Sequence, residues 1–129
     1  MLKPSLDKVV GTIVGLGVPG LILLMMIGGA GGAAAGAAAI TAALAAFGPG
    51  GMMGGLITLP IAVIVLKGVS EYGVEKILVQ VLKEMKSKGY TKNELLNKID
   101  NYPVSKKLKL TLKEKIEEFY TTNTITVVN

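Results

Sequence analysis

The chain has no cysteine, no histidine and no tryptophan. Without cysteine there is no disulfide, no thiol nucleophile and no cysteine metal site. Without histidine the commonest general base and metal ligand are gone. Two Phe and four Tyr stand against 17 Gly, so the aromatic area that dominates many soluble cores is nearly missing. The lack of Trp also removes the strongest marker of a membrane interface. The largest absence is of charge. From Val9 to Leu66, 58 residues carry no charged side chain, and their only hydroxyls are Thr12, Thr41 and Thr58.

A membrane-spanning helix takes roughly 20 apolar residues to cross about 30 Å of hydrocarbon. The uncharged stretch is therefore long enough for two comfortable crossings or three tight ones. Charged residues lie outside it: Lys3, Asp7 and Lys8 come before, and 20 charged side chains follow from Lys67 onward. With 129 residues, a mean hydropathy of +0.55 and a net charge of +5, the chain reads as all-α. The expected architecture is a membrane helical hairpin of two to three Gly/Ala-rich helices over residues 1–69. An amphipathic three-helix module over 70–120 and a flexible tail at 121–129 complete it. Basic side chains close to a bilayer suit anionic headgroups, and nothing points to nucleic acid.

Val9 to Ile27 is rich in Val, Ile, Leu and Met, interrupted by Gly11, Gly15, Gly17 and the pair Pro19-Gly20. Gly and Pro are tolerated in membrane helices, and a kink is expected near Pro19. A lysine-bearing start, an apolar region and A-x-A sites at Ala33–Ala35 and Ala37–Ala39 fit the outline of a signal peptide. The apolar segment is longer than the usual h-region and continues past the candidate sites, which argues against cleavage.

Gly28 to Ala46 is a low-complexity run of Gly and Ala. Gly28, Gly32 and Gly36 recur every fourth residue, and Gly51 and Gly55 repeat the spacing. Small residues at that interval lie on one helical face and let two backbones approach closely, so these five are the candidate helix-packing and oligomerisation positions. Gly48-Pro49-Gly50-Gly51 is a turn. Counting lysines near both ends favours two crossings with both termini on the cytoplasmic side. The membrane is then a bacterial cytoplasmic membrane or an organelle membrane, with the charged module facing the cytoplasm.

From Ser70 the periodicity becomes helical. Val74, Ile77, Leu78, Val81, Leu82 and Met85 follow the i, i+3, i+4, i+7 rule. Lys88-Gly89 ends that helix. Thr91 and Glu94 form a capping-box signature, opening a helix with Leu95, Leu96 and Ile99 inward, and Asn101-Tyr102-Pro103 stops it. Ser105 caps a third helix with Leu108, Leu112, Ile116 and Phe119 on one face. The tail, TTNTITVVN, is β-branched and reads as a frayed terminus, with strand addition to a partner as the alternative.

No catalytic constellation is legible. Glu71 and Glu75 sit one turn apart, but like-charged neighbours are common on exposed helix faces. The glycine-rich run contains neither G-x-x-x-x-G-K-[ST] nor a G-x-G-x-x-G opening a βαβ unit. No cofactor and no metal are expected. Ile77, Leu82 and Leu95 are candidate contacts for a protein partner, and Lys83, Lys86, Lys106 and Lys107 for that partner or an anionic membrane surface.

The stretch GGAGGAAAGAAAITAALAAFGPGGMMGGLITLPIAVIV, residues 28–66, resembles the glycine-rich hydrophobic core of the interferon-inducible small membrane proteins and their bacterial relatives. The resemblance implies insertion into a membrane, self-association, and roles in permeability, cell death or defence. It brings no catalytic residues, and the helices after Ser70 lie outside it. The leading expectation is a homo-oligomer that permeabilises a lipid bilayer, pore-forming or holin-like. A non-conducting anchor whose C-terminal helices bind a partner is the second. A third is a protein that hides its hairpin in water until triggered, as pore-forming colicins do. About 50 amphipathic residues look too few to cover 58 apolar ones in such a monomer.

Overall fold

The computed structural model describes residues 4–29 and 57–128. Over those residues it is all-α, with six helices and no strand: α1 Leu6–Leu16, α2 Val18–Ile27, α3 Leu59–Tyr72, α4 Val74–Ser87, α5 Lys92–Asp100 and α6 Lys106–Val128. Gly32, Gly36, Gly51 and Gly55 lie outside the described residues.

Helix starts follow local chemistry. Ser5 Oγ accepts from the Lys8 amide at 3.1 Å and opens α1. Thr91 Oγ1 accepts from the Glu94 amide at 3.1 Å, and Ser105 Oγ accepts from the Leu108 amide at 3.2 Å. Each hydroxyl satisfies a backbone donor that has no partner inside its helix. At the end of α4, the amide of Tyr90 donates to Met85 O and that of Gly89 to Lys86 O. This Schellman arrangement uses the left-handed φ of 98° at Gly89.

Two further glycines break helices that would otherwise run on. Gly17 (φ 76°, ψ −146°) separates α1 from α2, and Gly73 (φ 84°, ψ 149°) separates α3 from α4. Both conformations lie in a region essentially reserved for glycine. Pro19 then sits in the first turn of α2, where its missing N–H is no loss.

The breaks bear on the expected membrane hairpin, which the described helices do not support. None of the described helices is long and apolar enough to cross a membrane. The apolar run expected as one helix over about 9–27 is split at Gly17 into pieces of 11 and 10 residues. At 1.5 Å per residue each reaches only about 15 Å. The other end of the apolar stretch lies in α3, which enters charged sequence at Lys67 and Glu71 after two turns.

The core runs through both expected modules. It unites Val9, Ile13 and Val14 of α1, all the aliphatic residues of α2 and Val65 of α3 with the inward faces of α4, α5 and α6. The faces of the last three are the periodic positions read from the sequence: Ile77, Leu78, Val81, Leu82 and Met85, then Leu95 and Ile99, then Leu108, Leu112, Ile116 and Phe119. At the C-terminus the backbone of α6 is helical through Val128, where β-branched composition favours an extended or frayed end. Propagating an existing helix adds one hydrogen bond per residue with no nucleation step, and a single-residue propensity is weak against that.

Candidate functional site

The feature that stands out is α2. Its sequence, VPGLILLMMI, has no polar side chain. Leu21, Ile22, Leu23 and Leu24 are wholly inaccessible, and Met25, Met26 and Ile27 are buried too. A helix that is apolar all round has no wet face to offer, so it belongs either in a core or in a bilayer. Here α2 packs against each of the other five described helices. Among the described residues it is the central helix, and the amphipathic helices are its jacket. Each fully buried Leu, Ile or Met contributes about 1.5–3 kcal/mol of transfer free energy.

Close glycine contacts set the geometry. A Cβ built on Gly20 would stand 2.3 Å from the carbonyl oxygen of Ile13, so α2 folds back tightly beneath α1. One built on Gly68 of α3 would meet Val9 Cγ1 at 2.6 Å. Gly28, at the end of α2, would collide with Val74 Cγ2 at 2.2 Å. In this fold Gly28 is therefore a packing glycine within one chain, serving the contact between the end of α2 and the start of α4.

Polar contacts fasten the jacket from outside. Tyr72 Oη donates to Pro4 O at 2.9 Å, tying the end of α3 to the start of the chain. Tyr120 Oη donates to Tyr90 O at 2.8 Å, tying α6 to the loop after α4. Lys113 pairs with Asp100 at 2.8 Å while Lys109 Nζ donates to Asp100 O at 2.8 Å, so α6 holds the end of α5. Lys92 pairs with Glu117 at 3.0 Å, and Lys115 donates to Glu75. The bond to Glu75 is the main reason the Lys115 ammonium holds its proton above the ordinary lysine value. Burial raises the phenols of Tyr102 and Tyr120 above theirs.

The candidate contact residues divide cleanly. Ile77, Leu82 and Leu95 are at most 1 % exposed; they are turned into the core of their own chain and offer no docking face. Read as a separate module, α4–α6 have a spare apolar face for a partner; in the fold that face packs against α1, α2 and the neighbouring helices of the same chain. Lys83, Lys86, Lys106 and Lys107 are exposed, with Lys86 Nζ 5.6 Å from the Tyr120 ring centroid.

A groove of about 310 Å³ runs between α4 and α6, floored by Leu78, Leu82 and Phe119 and edged by Glu75, Lys83, Lys115 and Glu118. Its charges balance, and Glu75 is already engaged by Lys115. Among the described residues no cluster of carboxylates could hold a metal ion. Among the described residues the geometry encloses one wholly apolar helix.

What the sequence reading missed was the covering of α2, and a signal for it existed. A period-free apolar segment beside three helices that each expose one apolar stripe is the pattern of a core helix and its wrapping. No protein-family model, curated protein or solved structure matches the chain.

Proposed function

We propose that this protein is a membrane-permeabilising effector that self-associates in a lipid bilayer and is held in water in a sheathed form. The observation that carries this reading is the enclosure of α2 by all five other described helices. A helix without a polar side chain is equally suited to a core and to hydrocarbon, and the jacket decides which. The jacket's outer face is lysine-rich, which draws it to anionic headgroups at about 1 kcal/mol per nearby lysine. The apolar stretch from Val9 to Leu66 supplies further uncharged length. The four-residue spacing of Gly28, Gly32 and Gly36 suits close helix contact between copies once in lipid.

The site of action in this reading is a bacterial cytoplasmic membrane or an organelle membrane rich in anionic lipid. The partners are lipid and further copies of the chain. No catalytic step is involved. The resemblance of residues 28–66 to the glycine-rich small membrane proteins points the same way, towards permeability and defence.

Release of an encapsulated dye from phosphatidylglycerol-containing vesicles tests the reading. Purified protein is expected to cause leakage that rises with anionic lipid content, and Gly32→Leu with Gly36→Leu to abolish it. Absence of leakage at every lipid composition, up to the temperature at which the fold melts, would overturn it.

A further inference from the structure

The 22 residues Leu6–Ile27 are helical except at one position, Gly17. No atom outside its chain neighbours approaches a Cβ built there closer than 3.7 Å, the nearest being Tyr90 Oη and then Pro19 Cδ at 3.8 Å. Space therefore does not require glycine at 17. Backbone conformation does, because φ 76° with ψ −146° is a state that residues with a Cβ scarcely enter. That single residue divides a run whose joined length, about 33 Å at 1.5 Å per residue, matches the hydrocarbon of a bilayer.

We infer that α1 and α2 together are the bilayer-spanning unit of this protein, folded double at Gly17 in water and joined end to end in lipid. The inference rests on the function proposed above and assigns the segment that carries it. In water the fold at Gly17 lets Gly20 dock against the Ile13 carbonyl, so that α1 becomes one wall of the jacket around α2. In lipid α2 has no need of a wall, and the passage of Gly17 into the helical region joins the two pieces. Pro19 then lies inside a helix, where it lacks an N–H and crowds the carbonyl of Gly15. In water that favours the break. Bilayers tolerate such a kink.

The polar groups of the segment agree with this. Asp7 and Lys8 stand together at its start, and from Val9 to Ile27 the only polar side chain is Thr12. Its hydroxyl already donates to Lys8 O at 2.8 Å, a bond made within the helix that travels with it. The second break provides the contrast. Gly73 has the same kind of conformation, with φ 84° and nothing within 4 Å of a built Cβ. Joining α3 to α4 there would place Lys67, Glu71, Glu75 and Lys76 within one helix, which cannot lie in hydrocarbon without several kcal/mol of penalty. One break conceals a span, and the other merely turns a corner.

The absence of native cysteine makes the test direct. Gly15 is exposed, has open space around its Cα and lies near the middle of the joined segment. A Gly15→Cys variant carrying an environment-sensitive fluorophore is bound to phosphatidylglycerol-containing vesicles, and its depth is read with spin-labelled lipids. The label at 15 is expected to be quenched most strongly by spin labels at the bilayer centre, whereas one at Val79→Cys is quenched only near the headgroups. Gly17→Ala is expected to raise the inserted fraction at fixed lipid by about tenfold, the order that the forbidden conformation sets. Gly73→Ala loosens the water-soluble fold by the same mechanism and is expected to leave the depth at 15 unchanged with a smaller gain in insertion. A label at 15 that stays at headgroup depth while the vesicles leak overturns this inference and leaves the permeabilising function standing. Failure of the unsubstituted protein to leak overturns the function itself. If Gly17→Ala does not fold, the depth of the label at 15 in the otherwise native chain still decides.

Discussion

Gly68 of α3 lies so close to Val9 of α1 that a Cβ built on it would stand 2.6 Å from Val9 Cγ1 and 2.7 Å from Cγ2. The contact matters because α1 and α3 are both walls around α2, and their approach sets the size of the chamber. Gly20 and Ile13 form the corresponding contact between α2 and α1, there against backbone. Gly20, Gly28 and Gly68 therefore act within one molecule, as spacers between its own helices.

Alanine at these positions is expected to destabilise the fold in a definite order. Gly68→Ala meets the ends of a valine side chain, which can shift, so a loss of about 1–2 kcal/mol is expected from overpacking. Gly20→Ala meets a carbonyl oxygen that cannot move without the helix, and its loss is expected to reach about 3 kcal/mol. Gly11 and Gly15 lie in α1 with nothing within 4 Å of a built Cβ, so alanine there is expected to stabilise by about 0.5–1 kcal/mol through helix propensity. Urea unfolding followed by circular dichroism gives all four values.

Truncation within α2 probes the chamber itself. Leu24 is fully inaccessible, and Leu24→Ala is expected to cost about 2–5 kcal/mol, as cavities in well-packed cores do. Leu110 is 57 % exposed on α6, and the same substitution there is expected to change stability by no more than about 0.5 kcal/mol. Thermal melting of the two variants against the parent checks the contrast. Near-equal shifts would mean that α2 is not enclosed in solution.

Ion pairs contribute far less. The partners of Lys92–Glu117, Lys98–Glu94, Lys113–Asp100 and Lys115–Glu75 are all partly or well exposed, and exposed pairs contribute about 0–1 kcal/mol each. Glu117→Gln is expected to shift the urea midpoint by less than Gly68→Ala does. Raising the salt to about 1 M, where the screening length falls to about 3 Å, is expected to leave the midpoint nearly unchanged.

Much of the jacket was legible in the sequence, because a 3.6-residue period, a capping hydroxyl and a terminal glycine are local signals. Thr91, Ser105 and Gly89 act as read, and the inward positions of α4, α5 and α6 are those the periodicity marks. The place of α2 was not legible by the same means. A segment apolar on every side has no period to orient it, and Leu21 to Leu24 read alike whether lipid or protein surrounds them. The break near Pro19 was legible as a kink, but its seat at Gly17 was not. Gly11, Gly15 and Gly17 look the same in sequence, yet the first two are helical and only the third breaks the chain. What distinguishes it is Pro19 two residues on together with the docking of Gly20 onto Ile13, a contact that exists only once α2 has turned back. Ile77, Leu82 and Leu95 were misassigned for the same reason, since an apolar face does not say whether its partner is another chain or an earlier part of its own.

The fold is expected to lose stability as pH rises through and above 10. Burial is the main cause that raises the phenols of Tyr102 and Tyr120 above their ordinary value, so the folded state favours their neutral forms. Lys115 is raised from 10.5 mainly by its hydrogen bond to Glu75, so the folded state favours its charged form. In all three cases the folded chain binds protons more tightly than the unfolded one. The stability they contribute is fully present below the unfolded values and is lost as pH climbs through the folded ones. Histidine is absent, so no imidazole titrates between about pH 6 and 8. Tyr120→Phe separates the two roles of its hydroxyl. Loss of the 2.8 Å bond to Tyr90 O is expected to lower stability at neutral pH by about 1 kcal/mol, while removal of a titrating phenol makes the alkaline decline shallower. Urea midpoints measured from pH 7 to 11.5 for the two proteins check both effects. A variant whose midpoint falls as steeply as the parent's above pH 10 would show that Tyr120 does not contribute to the alkaline transition.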